Sequence, residues 1–426
     1  MSYTLTSIFS VLFLILTISG GCATQRSQRP NPSLDIAHLP LPTGTFAISI
    51  KKYELTDQKR PDPYFSDSRR RKLMIDVFYP VDQAHGQEML PYLDSIVIEN
   101  YESALKKGGL SAHFLRAGYP EISKNTVISK SSEKYPVIIL SPGGGVIPEF
   151  YFGIISELVS HGFIVIGLNH TYNSFISLFS DESIHLNEPI FQQFTQKLIK
   201  NGEDAQGFLI KIHAEDLKFV LASLNTLELS KHMDLQNLGM LGHSLGGMAI
   251  TYVCLNSPIC KAGTNLDGAL AGSPSSVLRA GNLTGDLGKP FLFLIGKKRM
   301  NPVPKKGNPN YINPELIRTL SKLENLTLEE YYEHIHDVNL GRLSRAAKKM
   351  GKKTSLIGLE KADHMSFSDW RIIHSYLLNP KEKSEEIKTL EQVISLVRNF
   401  FQKTLQHERV SLWDKIRDQK NLIIYQ

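Results

Sequence analysis

An α/β domain built around a mostly parallel sheet is what this sequence predicts, and three observations predict it. Apolar runs bounded by turn residues recur at Tyr135–Ser141, Phe163–Leu168 and Pro290–Ile295, as expected for strands buried on both faces. Segments of helical character separate them, and strands alternating with helices give a parallel sheet covered on both sides. A glycine-flanked serine, Gly242-His243-Ser244-Leu245-Gly246, stands between a short apolar strand and a helix.

The elements follow in order. Ile8–Ile18 is an apolar run too short to span a bilayer comfortably but of the length of a signal-peptide core. Ser19-Gly20-Gly21 then precede Cys22, which resembles a bacterial lipobox. Residues 1–22 therefore read as a signal peptide with Cys22 as a lipidation site, a plain secretory signal being the alternative. The expected location is the bacterial cell envelope, with a lipid anchor in the membrane. Residues 23–42, polar and then proline-rich, read as a tether. Residues 43–426 read as one domain, with insertions near 99–122, 173–211 and 297–352 too long for simple connections and expected to hold capping helices.

Within that domain Leu73, Ile75, Val77 and Tyr79 alternate along Lys72–Pro80, a strand pattern. After Tyr135–Ser141, Tyr151–His161 reads as a helix stopped by Gly162. Asp216–Leu224 and Met248–Leu255 read as helices, Leu238–Leu241 and Lys261–Leu266 as strands. Thr354–Leu359 reads as the last strand and Val393–Leu405 as a closing amphipathic helix.

Composition narrows the class. The chain of 426 residues is 42% hydrophobic and 21% charged, which is ordinary for a globular protein. A net charge of +6, spread in short runs mixed with acids, excludes a concentrated nucleic-acid footprint. With Cys22 lipidated, Cys254 and Cys260 remain. In an oxidising compartment they can pair, and reduced core cysteines are the alternative. No spacing resembles a metal site, no cofactor is expected, and nothing specifies an oligomeric state.

The chemistry centres on Ser244. In G-x-S-x-G the serine sits on a sharp strand-to-helix turn, where side chains two positions either side would collide with neighbouring backbone. This context predicts the α/β-hydrolase fold. A serine hydroxyl needs a base, and the fold expects the order Ser, acid, His. Of His334, His336, His364 and His374, only His364 follows the last strand after a short turn. The strand Pro290–Ile295 is followed by Gly296-Lys297-Lys298-Arg299, with no carboxylate. Asp267, ending the strand after the nucleophile helix, is the candidate acid, an Asx-turn role before Gly268 being the alternative. The Leu245 amide is one oxyanion donor. The second is assigned to Gly144 of Ser141-Pro142-Gly143-Gly144-Gly145, with Gly143 or Gly145 as alternatives. His170, ending a core strand, either lines the pocket or packs at the core edge.

Several pieces together resemble the platelet-activating factor acetylhydrolase family, of the secreted and lipoprotein-associated phospholipase A2 type. They are LMIDVFYP (Leu73–Pro80), YPVIILSPGGG (Tyr135–Gly145), ISELVSHGFIVIGLNH ending at His170, GHSLGG (Gly242–Gly247), NLDG (Asn265–Gly268) and HMSFSDW (His364–Trp370). The resemblance places the nucleophile at Ser244, the acid at Asp267, the base at His364, and the oxyanion donors at Leu245 and Gly144. It implies a metal-independent serine ester hydrolase acting on short or oxidised acyl esters, including sn-2 esters of phospholipids. Acyl transfer by the same triad and an inactive lipid-binding lipoprotein are the alternatives.

Overall fold

In the computed structural model the apolar runs become the middle of one eleven-stranded sheet. The structure describes residues 39–82, 89–91, 93–107, 115, 121–181, 183–187, 189–201, 203–268, 288–296, 347–348, 351–373, 383–410 and 422–424. The signal segment, Cys22, most of the tether, most of the 297–352 insertion, His334, His336 and His374 lie outside the described residues.

In chain order the strands are β1 (Ala47–Pro61), β2 (Arg70–Val81), β3 (Met89–Pro91), β4 (Glu121–Lys124), β5 (Tyr135–Ser141) and β6 (Ile164–Asn169). There follow β7 (Ile176–Leu178), β8 (Ile184–Leu186), β9 (Met233–His243), β10 (Cys260–Leu266), β11 (Phe291–Gly296), β12 (Thr354–Leu359) and β13 (Leu422–Ile424). The spatial order of the main sheet is β13-β12-β11-β10-β9-β5-β6-β2-β1-β4-β3, and β7 and β8 pair apart from it. Every pairing from β6 across to β12 is parallel, whereas β1–β2, β2–β6 and β12–β13 are antiparallel. The fold is that of an α/β-hydrolase.

The helices are α1 (Ser95–Lys107), α2 (Phe152–Ser160), α3 (Ile190–Lys200), α4 (Ala205–Ser223), α5 (Ser244–Asn256) and α6 (Lys383–Leu405). The period-two alternation of strand side chains divides the core. Ile138, Leu140, Val165, Leu241, Leu292 and Leu294 join Leu158 of α2 and Val397 and Phe401 of α6 on one face. Val137, Ile139, Ile166, Met240 and Phe293 join Leu217 and Val220 of α4 and Ile250 and Val253 of α5 on the other. Both faces are buried, which is why these strands read as unbroken apolar runs.

The structure also departs from the sequence reading. The nucleophile helix starts at Ser244, not Met248. Its first turn, Ser-Leu-Gly-Gly, carries two poor helix formers and shows no helical pattern. The 173–211 insertion, expected to hold capping helices, contains α3 and the start of α4 and also the β7–β8 hairpin, which the sequence reading did not include. The 99–122 stretch holds the end of α1 and, from Glu121, the short strand β4. Over the N-terminal end of α5, Phe191 of α3 and Leu209, Ile210 and Ile212 of α4 form an apolar cluster with Tyr64, Tyr172, Leu245 and Met248.

Candidate active site

The site is built where β9 turns into α5. Ser244 has φ 52°, a left-handed conformation rare for residues with a side chain and concentrated at functional sites. The flanking glycines make the turn possible. A Cβ on Gly246 would lie 2.1 Å from the Ser141 carbonyl oxygen and 2.4 Å from that of Pro142. One on Gly242 would lie 2.5 Å from the Gly246 oxygen. These are backbone atoms of β5, its following loop and α5, so only glycine fits.

The structure brings the three candidate triad residues together. Ser244 Oγ is 2.8 Å from His364 Nε2, and His364 Nδ1 is 2.6 Å from Asp267 Oδ2. A carboxylate only accepts, so Nδ1 carries the proton and the Nε2 lone pair faces the serine hydroxyl. Asp267 lies just past β10 at φ 50°, with its amide donating to the Leu294 oxygen (2.8 Å). Its Oδ1 accepts the Gly296 N–H at 3.0 Å. The end of β11 thus supplies no carboxylate but aims the one supplied by its neighbour.

His364 opens a single 3-10 turn after β12. Asp363 caps that turn by accepting the Met365 and Ser366 amides and pairs with Arg371. The imidazole is pushed two ways. Burial disfavours its charged form most, but the hydrogen bond to Asp267 and the charges of Asp267 and Asp363 outweigh burial and hold it above its ordinary value. Its side chain remains 23% accessible, so substrate can reach it.

The glycine loop lies beside Ser244, a Cβ on Gly143 falling 3.3 Å from the Ser244 Cβ. The amide of Leu245, the next residue, sits in the first turn of α5, where helix amides lack intrahelical acceptors. In the glycine loop, Gly143 N–H donates to Tyr151 Oη and Gly145 N–H to the Asn173 oxygen, each at 3.0 Å. Among the described residues the Gly144 amide has no protein acceptor.

A second Ser-His-Asp chain lies nearby. Ser141 Oγ is 2.9 Å from His170 Nε2, and His170 Nδ1 is 3.0 Å from Asp216 Oδ2. Access separates the two. Ser141, His170 and Asp216 are all buried, and Arg71 clasps Asp216 through Nε and Nη2 at 3.2 and 2.7 Å. Ser244 is only partly covered. His170 therefore packs beneath the glycine loop, not in a pocket wall. Sequence reasoning missed Arg71 and Asp216, whose only signal was a charge on a strand or helix face.

Cys254 at the end of α5 and Cys260 at the start of β10 form a disulfide, tying the element that carries Ser244 to the one that carries Asp267. Among the described residues no group of His, Cys, Asp and Glu could hold a metal ion, and no helix is long and apolar enough to cross a membrane.

Comparison with known proteins bears on this geometry. The family model described as "Platelet-activating factor acetylhydrolase, isoform II" matches residues 62–211. A probable 1-alkyl-2-acetylglycerophosphocholine esterase of Arthroderma benhamiae is 26% identical over 248 residues, 55% of this chain and 59% of that protein. The platelet-activating factor acetylhydrolase of Canis lupus familiaris is 27% identical over 164 residues, 32% of this chain and 36% of the canine protein. Over these segments the chain is similar to the platelet-activating factor acetylhydrolases.

It spans less than two thirds of the length of either relative. The family match covers β2, β5, β6 and the glycine loop and stops before Ser244. A ferulic acid esterase from Streptomyces cinnamoneus superposes with a TM-score of 0.66 at 20% identity, over 92% of this chain and 100% of that one. That likeness extends the shared fold beyond the part matched by the acetylhydrolase model.

Proposed function

We propose that the chain is a serine carboxylic ester hydrolase that works through an acyl-enzyme on Ser244. The observation that carries this reading is the continuous chain from Ser244 Oγ through His364 to Asp267, at 2.8 and 2.6 Å, beside an uncommitted Gly144 amide. His364 Nε2 takes the hydroxyl proton as Ser244 Oγ attacks the ester carbonyl carbon. The Leu245 and Gly144 amides stabilise the negative oxygen of the tetrahedral intermediate. The proton passes from Nε2 to the leaving alcohol, and a water activated by the same nitrogen then releases the acid. Asp267 holds the ring in its Nδ1–H tautomer and offsets the imidazolium charge.

For the substrate we propose short or oxidised acyl esters, including sn-2 esters of phospholipids. The names of the fungal and canine relatives, an acetylglycerophosphocholine esterase and an acetylhydrolase, support the short acyl part of that reading. We place the activity at the cell envelope, tethered through Cys22. The lipobox-like Ser19-Gly20-Gly21-Cys22 supports this, and a disulfide suits an oxidising compartment. The test is turnover of a p-nitrophenyl ester series, acetyl to long-chain, by the wild-type protein and Ser244→Ala. The reading expects fastest turnover of the short esters and a loss of roughly 10⁴-fold or more in the variant. Equal turnover by both would overturn it.

A further inference from the structure

Between the glycine loop and the turn that carries His364 lies His243, the residue before Ser244, whose ring is buried. Its Nε2 is 2.7 Å from the His364 carbonyl oxygen and its Nδ1 is 2.8 Å from Tyr151 Oη. Tyr151, also buried, accepts the Gly143 N–H at 3.0 Å. The direction of every bond is fixed. A carbonyl oxygen only accepts, so Nε2 carries a proton. Burial, and then the adjacent His364, hold His243 well below its ordinary value, so the ring is neutral and Nδ1 is a bare acceptor. The Tyr151 O–H must therefore donate to Nδ1, which leaves its oxygen to receive the Gly143 amide.

We propose that His243 and Tyr151 are positioning residues, a hydrogen-bonded strut that sets the distance between the oxyanion loop and the histidine-bearing turn on either side of Ser244. At the loop end, the bond to Gly143 orients the backbone from which the Gly144 amide projects. At the other end, the bond to the His364 carbonyl fixes the main chain whose side chain must hold Nε2 at 2.8 Å from Ser244 Oγ. The His243 and His364 rings lie 4.8 Å apart between centroids, so a shift of one is felt by the other. Neither strut residue reaches the reacting atoms. Both act through groups that do, and the strut rests on the hydrolase reading above.

Tyr151→Phe removes one hydroxyl and keeps the ring, and His243→Leu removes both bonds. Each is expected to lower kcat by roughly 10- to 100-fold with KM within about threefold, the size of a displacement of about 1 Å at a reacting group. Because both break one strut, the double variant should lose little more than His243→Leu alone. His243→Gln, whose amide N–H reaches the Nε2 position, should recover part of the loss. Unchanged kcat in Tyr151→Phe, or losses that multiply in the double variant, would overturn the strut. Covalent fluorophosphonate labelling separates the two levels of the proposal. Labelled variants with unchanged kcat would refute the strut alone, whereas an unlabelled, inactive wild-type protein would remove the hydrolase reading and the strut with it.

Discussion

Replacing Asp267 with Asn tests the triad through a detail specific to this structure. Asp267 Oδ1 accepts the Gly296 N–H at 3.0 Å, and Oδ2 accepts His364 Nδ1–H at 2.6 Å. In Asp267→Asn the amide oxygen must stay on the Gly296 side, since an NH₂ there would face another N–H. The NH₂ then faces His364 Nδ1, and the ring satisfies it only by moving its proton to Nε2. That proton points at Ser244 Oγ, where a lone pair is needed. The loss expected from a wrong tautomer is about 10⁴-fold in kcat, or about 5.4 kcal/mol of transition-state stabilisation. KM should change little, because nothing that touches bound ester has moved. Steady-state hydrolysis of p-nitrophenyl acetate by variant and wild-type protein reads both parameters. A variant keeping more than a tenth of wild-type kcat would refute the reasoning and move the orienting acid elsewhere.

Two further outcomes follow from the same geometry. His364 must be neutral to accept a proton, and Asp267 and Asp363 hold it above its ordinary value, so kcat/KM should fall as pH drops through a midpoint above about 6.5. A pH–rate profile with its acid limb at or below that value would contradict the assignment. Arg71 is fully buried, with Nη2 2.7 Å from Asp216 and Nη1 2.9 Å from the Thr171 oxygen. Arg71→Leu leaves Asp216 with Arg60 as its remaining cation and should cost about 3–5 kcal/mol in a urea unfolding curve. A wild-type midpoint would show that the cluster contributes no net stability.

How much was legible follows from what each feature asks of the sequence. Ser244 stands out because its turn forbids side chains at positions 242 and 246, a constraint written in residue type. His364 was found by its place after the last buried strand, and Asp267 by elimination and by family resemblance, since the Gly296 amide that aims it is backbone and leaves no mark. Gly144 was chosen over Gly143 and Gly145 without a mark in the sequence to separate them, since the acceptors of those two amides, Tyr151 Oη and the Asn173 oxygen, lie elsewhere in the chain. The middle strands were plain because both faces are apolar. Strand β1, which lies between β2 and the short β4, was missed because AISIKKYELTDQKRP is half-solvated and broken by charge, its pairing with β2 being set by the partner strand. The strut through Tyr151 and His243 joins residues 92 positions apart, and no local pattern announces such a pairing.

With two Ser-His-Asp chains in one molecule, chemical labelling can show which serine is the nucleophile. Folded protein is treated with a fluorophosphonate probe, digested and mapped by mass spectrometry. A single adduct is expected on the peptide that carries Ser244, absent from Ser244→Ala, with Ser141 unmodified behind its buried histidine. An unmodified Ser244 in folded protein, or an adduct on Ser141, would contradict it.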